Sequence, residues 1–108
     1  MGTGINKVTL LGNLGQSPET KFSKDGTEYC LFSVATDESW RNANGQKFDS
    51  VCWHSVIAWK RLANICAKYL RKGSRVYLEG KIQNGKYESE GSIKYYSRIL
   101  LTEVQHIK

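Results

Sequence analysis

Trp40, Trp53, Trp59 and Tyr87 are the residues of this sequence with the most telling chemistry. A flat aromatic ring stacks on the face of any nucleobase, whichever base it is. These rings lie in a basic chain, in which 16 Lys and Arg against 10 Asp and Glu leave a formal net charge of +6. Cations beside such rings hold a phosphate backbone in the same base-independent way. Lys7, Arg41, Lys60, Arg61, Arg71, Lys72, Lys81 and Lys86 are the candidate phosphate contacts. Rings and cations together describe a surface for a single nucleic-acid strand, gripped by stacking and not read at its base edges. The alternative for the rings is burial in a core or a subunit interface. For Arg71 and Lys72 it is capping of a helix, and for Lys81 a plain outward position on a strand.

Other chemistries find less support. The acids Asp25, Glu28, Asp37, Glu38, Asp49 and Glu79 do not cluster in sequence as a metal-dependent nuclease would require. His54 has neither a nucleophile nor a paired carboxylate nearby, so packing or a subunit contact suits it better than acid–base work. No enzyme is expected. Cys30, Cys52 and Cys66 are odd in number and widely spaced, which fits no disulfide framework. Cys52 and His54 would share one face of a strand, but zinc takes about four ligands, so Cys30, Cys66 or His106 would have to converge on them. No metal and no cofactor are expected, and the cysteines read as reduced, small core residues.

The elements that must position the rings follow from periodicity. The 108 residues suit one domain spanning 1–108. No apolar run approaches the ~20 residues of a membrane helix, and the start lacks a secretory segment, so a cytoplasmic, nucleoid-associated chain is expected. A first strand runs over Lys7–Leu14, with Val8, Leu10 and Leu14 facing in and Gly12 as a bend or bulge. Residues 15–25 read as loop. A second strand covers Glu28–Thr36, and Asn44-Gly45 marks a hairpin turn.

The third strand, Phe48–Trp59, splits by face: Val51, Trp53, Ser55, Ile57 and Trp59 on one side, Cys52, His54, Val56 and Ala58 on the other. Small residues suit the inside of a narrow barrel, which sends the tryptophans outward. Over Arg61–Leu70 the period changes. Leu62, Ile65, Cys66, Tyr69 and Leu70 form one helical stripe, closed by Arg71-Lys72-Gly73, and the helix should plug one end of the barrel. A fourth strand covers Arg75–Ile82, with Val76, Leu78 and Ile82 facing in. Asn84-Gly85 signals a turn, and Lys94–Val104 is the fifth strand. The fold class is therefore all-β with one short helix: a five-stranded OB-fold Greek-key barrel with its helix between strands three and four.

The residues also resemble a known family, the bacterial-type single-stranded DNA-binding proteins, over nearly the whole chain from Ile5 to Val104. The resemblance rests on Ile5-Asn6-Lys7-Val8, Leu11 to Gln16, Ala35 to Trp40, Trp53-His54, Leu62-Ala63, Tyr69 to Ser74 and Val76 to Gly80, in this order and at these intervals. It implies a homotetramer that coats single-stranded DNA in replication, recombination and repair, with His54 at a subunit contact; composition alone does not separate a tetramer from a dimer. It also implies base-stacking roles for Trp40, Trp53, Trp59 and Tyr87. Trp59 falls where relatives usually have phenylalanine, and Tyr87 where they often have tryptophan.

Departures set expectations of their own. Ser55 stands where arginine is common, and the hairpin segment Gln83 to Tyr87 holds one cation where relatives crowd several. A binder leaning on stacking, with a small salt dependence, is expected. Relatives usually continue into a flexible linker and an acidic tip that recruits replication and repair proteins. This sequence ends at Lys108, either trimmed or from a tail-less member. The second reading is a tail-less, dimeric OB-fold scaffold of replication restart.

Overall fold

Alternation along the strands builds the core. Leu10 and Leu14, then Cys30, Phe32 and Val34, then Val56 and Ala58, then Val76 and Leu78, then Ile99 and Leu101 are all buried, each set at every second or fourth position. The computed structural model describes residues 2–108. Its elements are β1 (Val8–Leu14), β2 (Glu19–Phe22), β3 (Glu28–Asp37), β4 (Trp40–Arg41), β5 (Lys47–Phe48), β6 (Val51–Trp59), α1 (Arg61–Tyr69), β7 (Arg75–Ser89) and β8 (Ser92–Ile107).

The long strands form one sheet in the order β1-β7-β8-β6-β3-β2, closed by a further β1–β3 pairing. β1 makes that closure by changing partner. Val8 to Asn13 pair with β7, and Asn13 and Leu14 pair with β3. Gly12 sits at the change, where an added Cβ would lie 2.3 Å from the Ala35 carbonyl oxygen. The expected bend is thus a close backbone approach that only glycine permits. β6 and β8 pair in parallel at Val56–Ile99 and Ile57–Leu100. The result is the expected OB-fold: five long strands, with the helix between the third and the fourth.

Four features differ from the expected outline. β2 lies inside the stretch read as loop, and β4 and β5 form a separate small hairpin around the Asn44-Gly45 turn, where Gly45 has φ +80°. The helix buries Ala63 and Cys66, with Leu70 just beyond its end, whereas Tyr69 is 57% exposed. The inward line passes through 63, 66 and 70, and the small Ala63 lets α1 approach the barrel closely enough to join the core.

The largest difference is the last hairpin. Asn84-Gly85 is not its turn: β7 runs through it to Ser89, and the reversal falls at Glu90 and Gly91, φ +51° and +78°. Two positive φ values are what a two-residue primed hairpin turn needs. Beyond the barrel, residues 83–89 and 92–98 pair only with each other and form a two-stranded arm. Ile82, expected to face in, is 48% exposed at the arm's root, where the barrel has ended. In β8 a bulge opposite Glu79 and Gly80 leaves Thr102 unpaired. The Thr102 hydroxyl donates to the Glu79 carbonyl at 3.1 Å, and Val104, three residues after Leu101, returns to the core.

Candidate nucleic-acid interface

The outer face of β6 carries an exposed indole. Trp53 is 60% exposed and lies over Gly15, where a Cβ would come within 2.3 Å of its Cζ3. Glycine at 15 therefore lets the Cζ3–Cη2 side of the indole close against the chain while most of the side chain stays exposed. Beside it runs a cleft of about 390 Å³ lined by Val8, Trp53, His54, Ser55, Ile82 and Arg98, among others. A second hollow, lined by Gln16, Leu31, Ser33, Ser55 and Arg98, shares Ser55 and Arg98 with it, so the two adjoin. Trp59, six residues along the same strand and ~20 Å away, lines a third hollow with Ser23, Lys24, Asp25, Thr27 and Lys60.

Trp59 is half-buried and tilts against Tyr29, its cross-strand partner, with centroids 4.8 Å apart and planes at 32°. It faces outward as expected, with Tyr29 taking part of its area. The turn beside it is tied by Asp25, whose carboxylate accepts from the Ser23 hydroxyl and from the Thr27 amide at 3.1 Å. These bonds hold Asp25 down to about 2, below the usual carboxylate range.

Trp40 and Tyr87 sit on other elements. Trp40 lies in the β4–β5 hairpin, 55% exposed and stacked on Phe48 with centroids 4.5 Å apart and planes 17° apart. Tyr87 lies on the arm, 55% exposed, opposite Lys94 in register and 6.4 Å from Tyr96. The structure therefore distributes the four rings over β6, a side hairpin and the arm.

The candidate cations divide. Lys60, Arg61, Lys72, Lys81 and Lys86 are exposed. Lys7 pairs with Glu79 at 3.3 Å. The Tyr77 hydroxyl, donating at 2.5 Å, and Lys7 hold the Glu79 carboxyl below its ordinary value. Arg41 donates to the Gly45 carbonyl at 3.1 Å and ties its own hairpin. Arg71 donates to the Ala67 and Leu70 carbonyls at 3.1 and 2.7 Å, the helix-capping alternative to phosphate contact.

Sequence reasoning missed Arg98. It lines both adjoining hollows beside Ser55, its Nε donates to Gln83 Oε1 at 2.8 Å, and its guanidinium covers the Tyr96 ring at 4.7 Å. Tyr96 in turn covers Gly85, its cross-strand partner, where a Cβ would meet the ring at 2.1 Å. Arg98 thus brings a cation from β8 to the place where Ser55 offers none on β6. The one advance signal was the alternation of Tyr96 and Arg98 along β8. Phe48 and Tyr29, the partners of Trp40 and Trp59, were missed as well.

His54 is half-buried, with Nε2 3.0 Å from Thr36 Oγ1. Cys30 and Cys66 are fully buried, as small core residues would be, while Cys52 is half-buried.

A closed OB barrel with open aromatic rings along one strand face and basic hollows beside them defines an oligonucleotide-binding class of fold. The model of the single-strand binding protein family matches residues 5–107, and the chain belongs to that family. It is 44% identical over 90 residues to single-stranded DNA-binding proteins of two Neisseria meningitidis strains, covering 83% of this chain and 52% of theirs. It is 37% identical over 107 residues to single-stranded DNA-binding protein 1 of Chlorobaculum tepidum, covering 97% of this chain and 66% of that one. The chain thus spans about half to two-thirds of these relatives' length. Among solved structures it is similar to Plasmodium falciparum SSB in complex with ssDNA, at 27% identity, TM-score 0.87, and coverage of 100% of this chain and 99% of that one. A deletion mutant of the Thermus aquaticus single-stranded DNA binding protein shares the fold at 22% identity, with TM-score 0.83, 97% coverage of this chain and 51% of that one.

Proposed function

We propose that this chain is a non-enzymatic, sequence-independent single-stranded DNA coat, acting in the cytoplasm in replication, recombination and repair. The observation that carries the reading is Trp53, a ring seated against Gly15 yet 60% exposed, in the cleft that Arg98 also lines. Trp40, Trp59 and Tyr87 add further stacking positions. Lys60, Arg61, Lys81, Lys86 and Arg98 supply the phosphate contacts, with Lys72 as an outlying one. Lys7, Arg41 and Arg71 already have partners within the chain and contribute less. Exposed apolar residues away from β6, among them Leu11 on β1 at 50%, support self-association as a homotetramer with His54 at a subunit contact.

Titration with oligo(dT) followed by tryptophan fluorescence tests the reading. Quenching with strong preference for single strands over duplex is expected. Trp53→Ala should cost about 1–3 kcal/mol of affinity. No quenching, or equal affinity for duplex, would sink the proposal. A solution mass of four chains is expected; two would instead support the dimeric scaffold.

A further inference from the structure

Strand alternation places a second set of reactive side chains on the reverse side of β6 from Trp53. The inner face of β3 runs through Cys30, Phe32 and Val34, and emerges from the core at Thr36. Glu38 follows two residues later. The inner face of β6 runs outward from Ala58 and Val56 to His54 and Cys52. Register sets Thr36 directly opposite Cys52, and Val34 opposite His54. Both inner faces therefore leave the barrel at the same end, and there they bring together a carboxylate, a thiol and an imidazole. One ligand atom from each of Glu38, Cys52 and His54 lies within 4.8 Å of the other two. Thr36 Oγ1 sits between them, donating to Glu38 Oε2 at 2.9 Å and lying 3.0 Å from His54 Nε2.

We propose that Glu38, Cys52 and His54 form a binding site for a borderline-soft divalent cation of the zinc class. Sulfur, nitrogen and oxygen donors at this number are a zinc-type set. A single carboxylate is too little for calcium or magnesium, which take mainly oxygen. Zinc bonds of about 2.0–2.3 Å require donors somewhat closer together than they stand here. The exposed Glu38 can supply that movement by rotating its side chain. Binding displaces the thiol proton, and the His54 nitrogen exchanges its contact with Thr36 for the metal. Three protein donors leave a fourth position for water or a neighbouring group. The expectation that Cys30, Cys66 or His106 would have to complete the Cys52–His54 pair is replaced by Glu38: Cys30 and Cys66 are sealed in the core, and His106 lies far along β8.

The test is a Co²⁺ titration of the purified reduced protein, followed by competition with Zn²⁺. One Co²⁺ per chain should bind with a thiolate-to-cobalt charge-transfer band in the near ultraviolet, and Zn²⁺ should displace it. Cys52→Ser should abolish the band, and Glu38→Gln should weaken affinity by about tenfold or more. Trp53 projects from the opposite face, so Cys52→Ser should keep its oligo(dT) binding, which confirms that the variant is folded. Absence of the band at stoichiometric metal, a band unchanged in Cys52→Ser, or unchanged affinity in Glu38→Gln would each overturn the three-ligand site.

Discussion

Gly15 and Trp53 act as a pair. The indole lies where a methyl group on residue 15 would stand 2.3 Å from its Cζ3, so Gly15→Ala must push the ring off its seat. Gly15→Ala should therefore lower oligo(dT) affinity by a large part of the Trp53→Ala loss, about 1–3 kcal/mol, while the thermal midpoint moves little. Fluorescence titration beside a thermal melt checks both. Arg98 belongs at the same scale. Its replacement by Ala should make the log–log salt slope shallower by about 0.7, the share of one phosphate on a single strand, and should also loosen Tyr96, which it covers. Trp53 was legible because alternation on a strand of known faces leaves one choice of side. Arg98 was not, because its place depends on β8 passing beside β6 in parallel, a pairing between residues 43 positions apart that no local pattern announces. Tyr29 and Phe48 were hidden for the same reason, since a ring's partner across a sheet is set by register.

At the scale of elements, the strand-to-helix junction stands out. Lys60 precedes α1 with φ +56° and ψ −123°, a conformation glycine adopts far more readily than lysine. It is held by its amide donating to the Glu28 carbonyl at 2.9 Å and its carbonyl accepting from Asn64 at 3.0 Å. Strain of about 1–3 kcal/mol exceeds the roughly 0.5–1 kcal/mol of extra chain entropy that glycine brings. Lys60→Gly should thus stabilise the protein by about 1 kcal/mol, raising its melting temperature by several degrees, while making the salt slope shallower. A variant more stable yet less salt-sensitive would show that a cation is kept here at the expense of the fold. The elements with one wet and one dry face, β1, β3 and α1, were legible to within a residue, whereas β6 begins at Val51, three residues after the expected Phe48, which belongs to β5. β2 was not, because all four of its residues are exposed and its only order comes from pairing with β3. Asn84-Gly85 misled for a different reason. That glycine serves to seat Tyr96 and not to turn the chain, and the true turn uses Glu90, a residue with no local preference for positive φ.

At the scale of the molecule, a closed barrel carries an arm that accounts for its 56 Å long dimension against 37 and 36 Å across. The barrel strands each have two neighbours. The arm strands have one, and a lone two-stranded ribbon is only marginally stable in water. Its fastenings are local: Tyr96 over Gly85, Arg98 over Tyr96, and Asn6 bonded both ways to the Ile82 backbone at 2.8 Å. The free energy of opening must therefore be unevenly spread, low in the arm and high in the barrel. On the proposed reading, a strand of DNA stacking on Tyr87 would meet a surface that it must also help to order. Part of the binding energy would then go into ordering the ribbon, and calorimetry should give a heat-capacity change of association larger than the contact area alone predicts. A heat-capacity change no larger than the contact area gives would show that the arm is already ordered before DNA arrives.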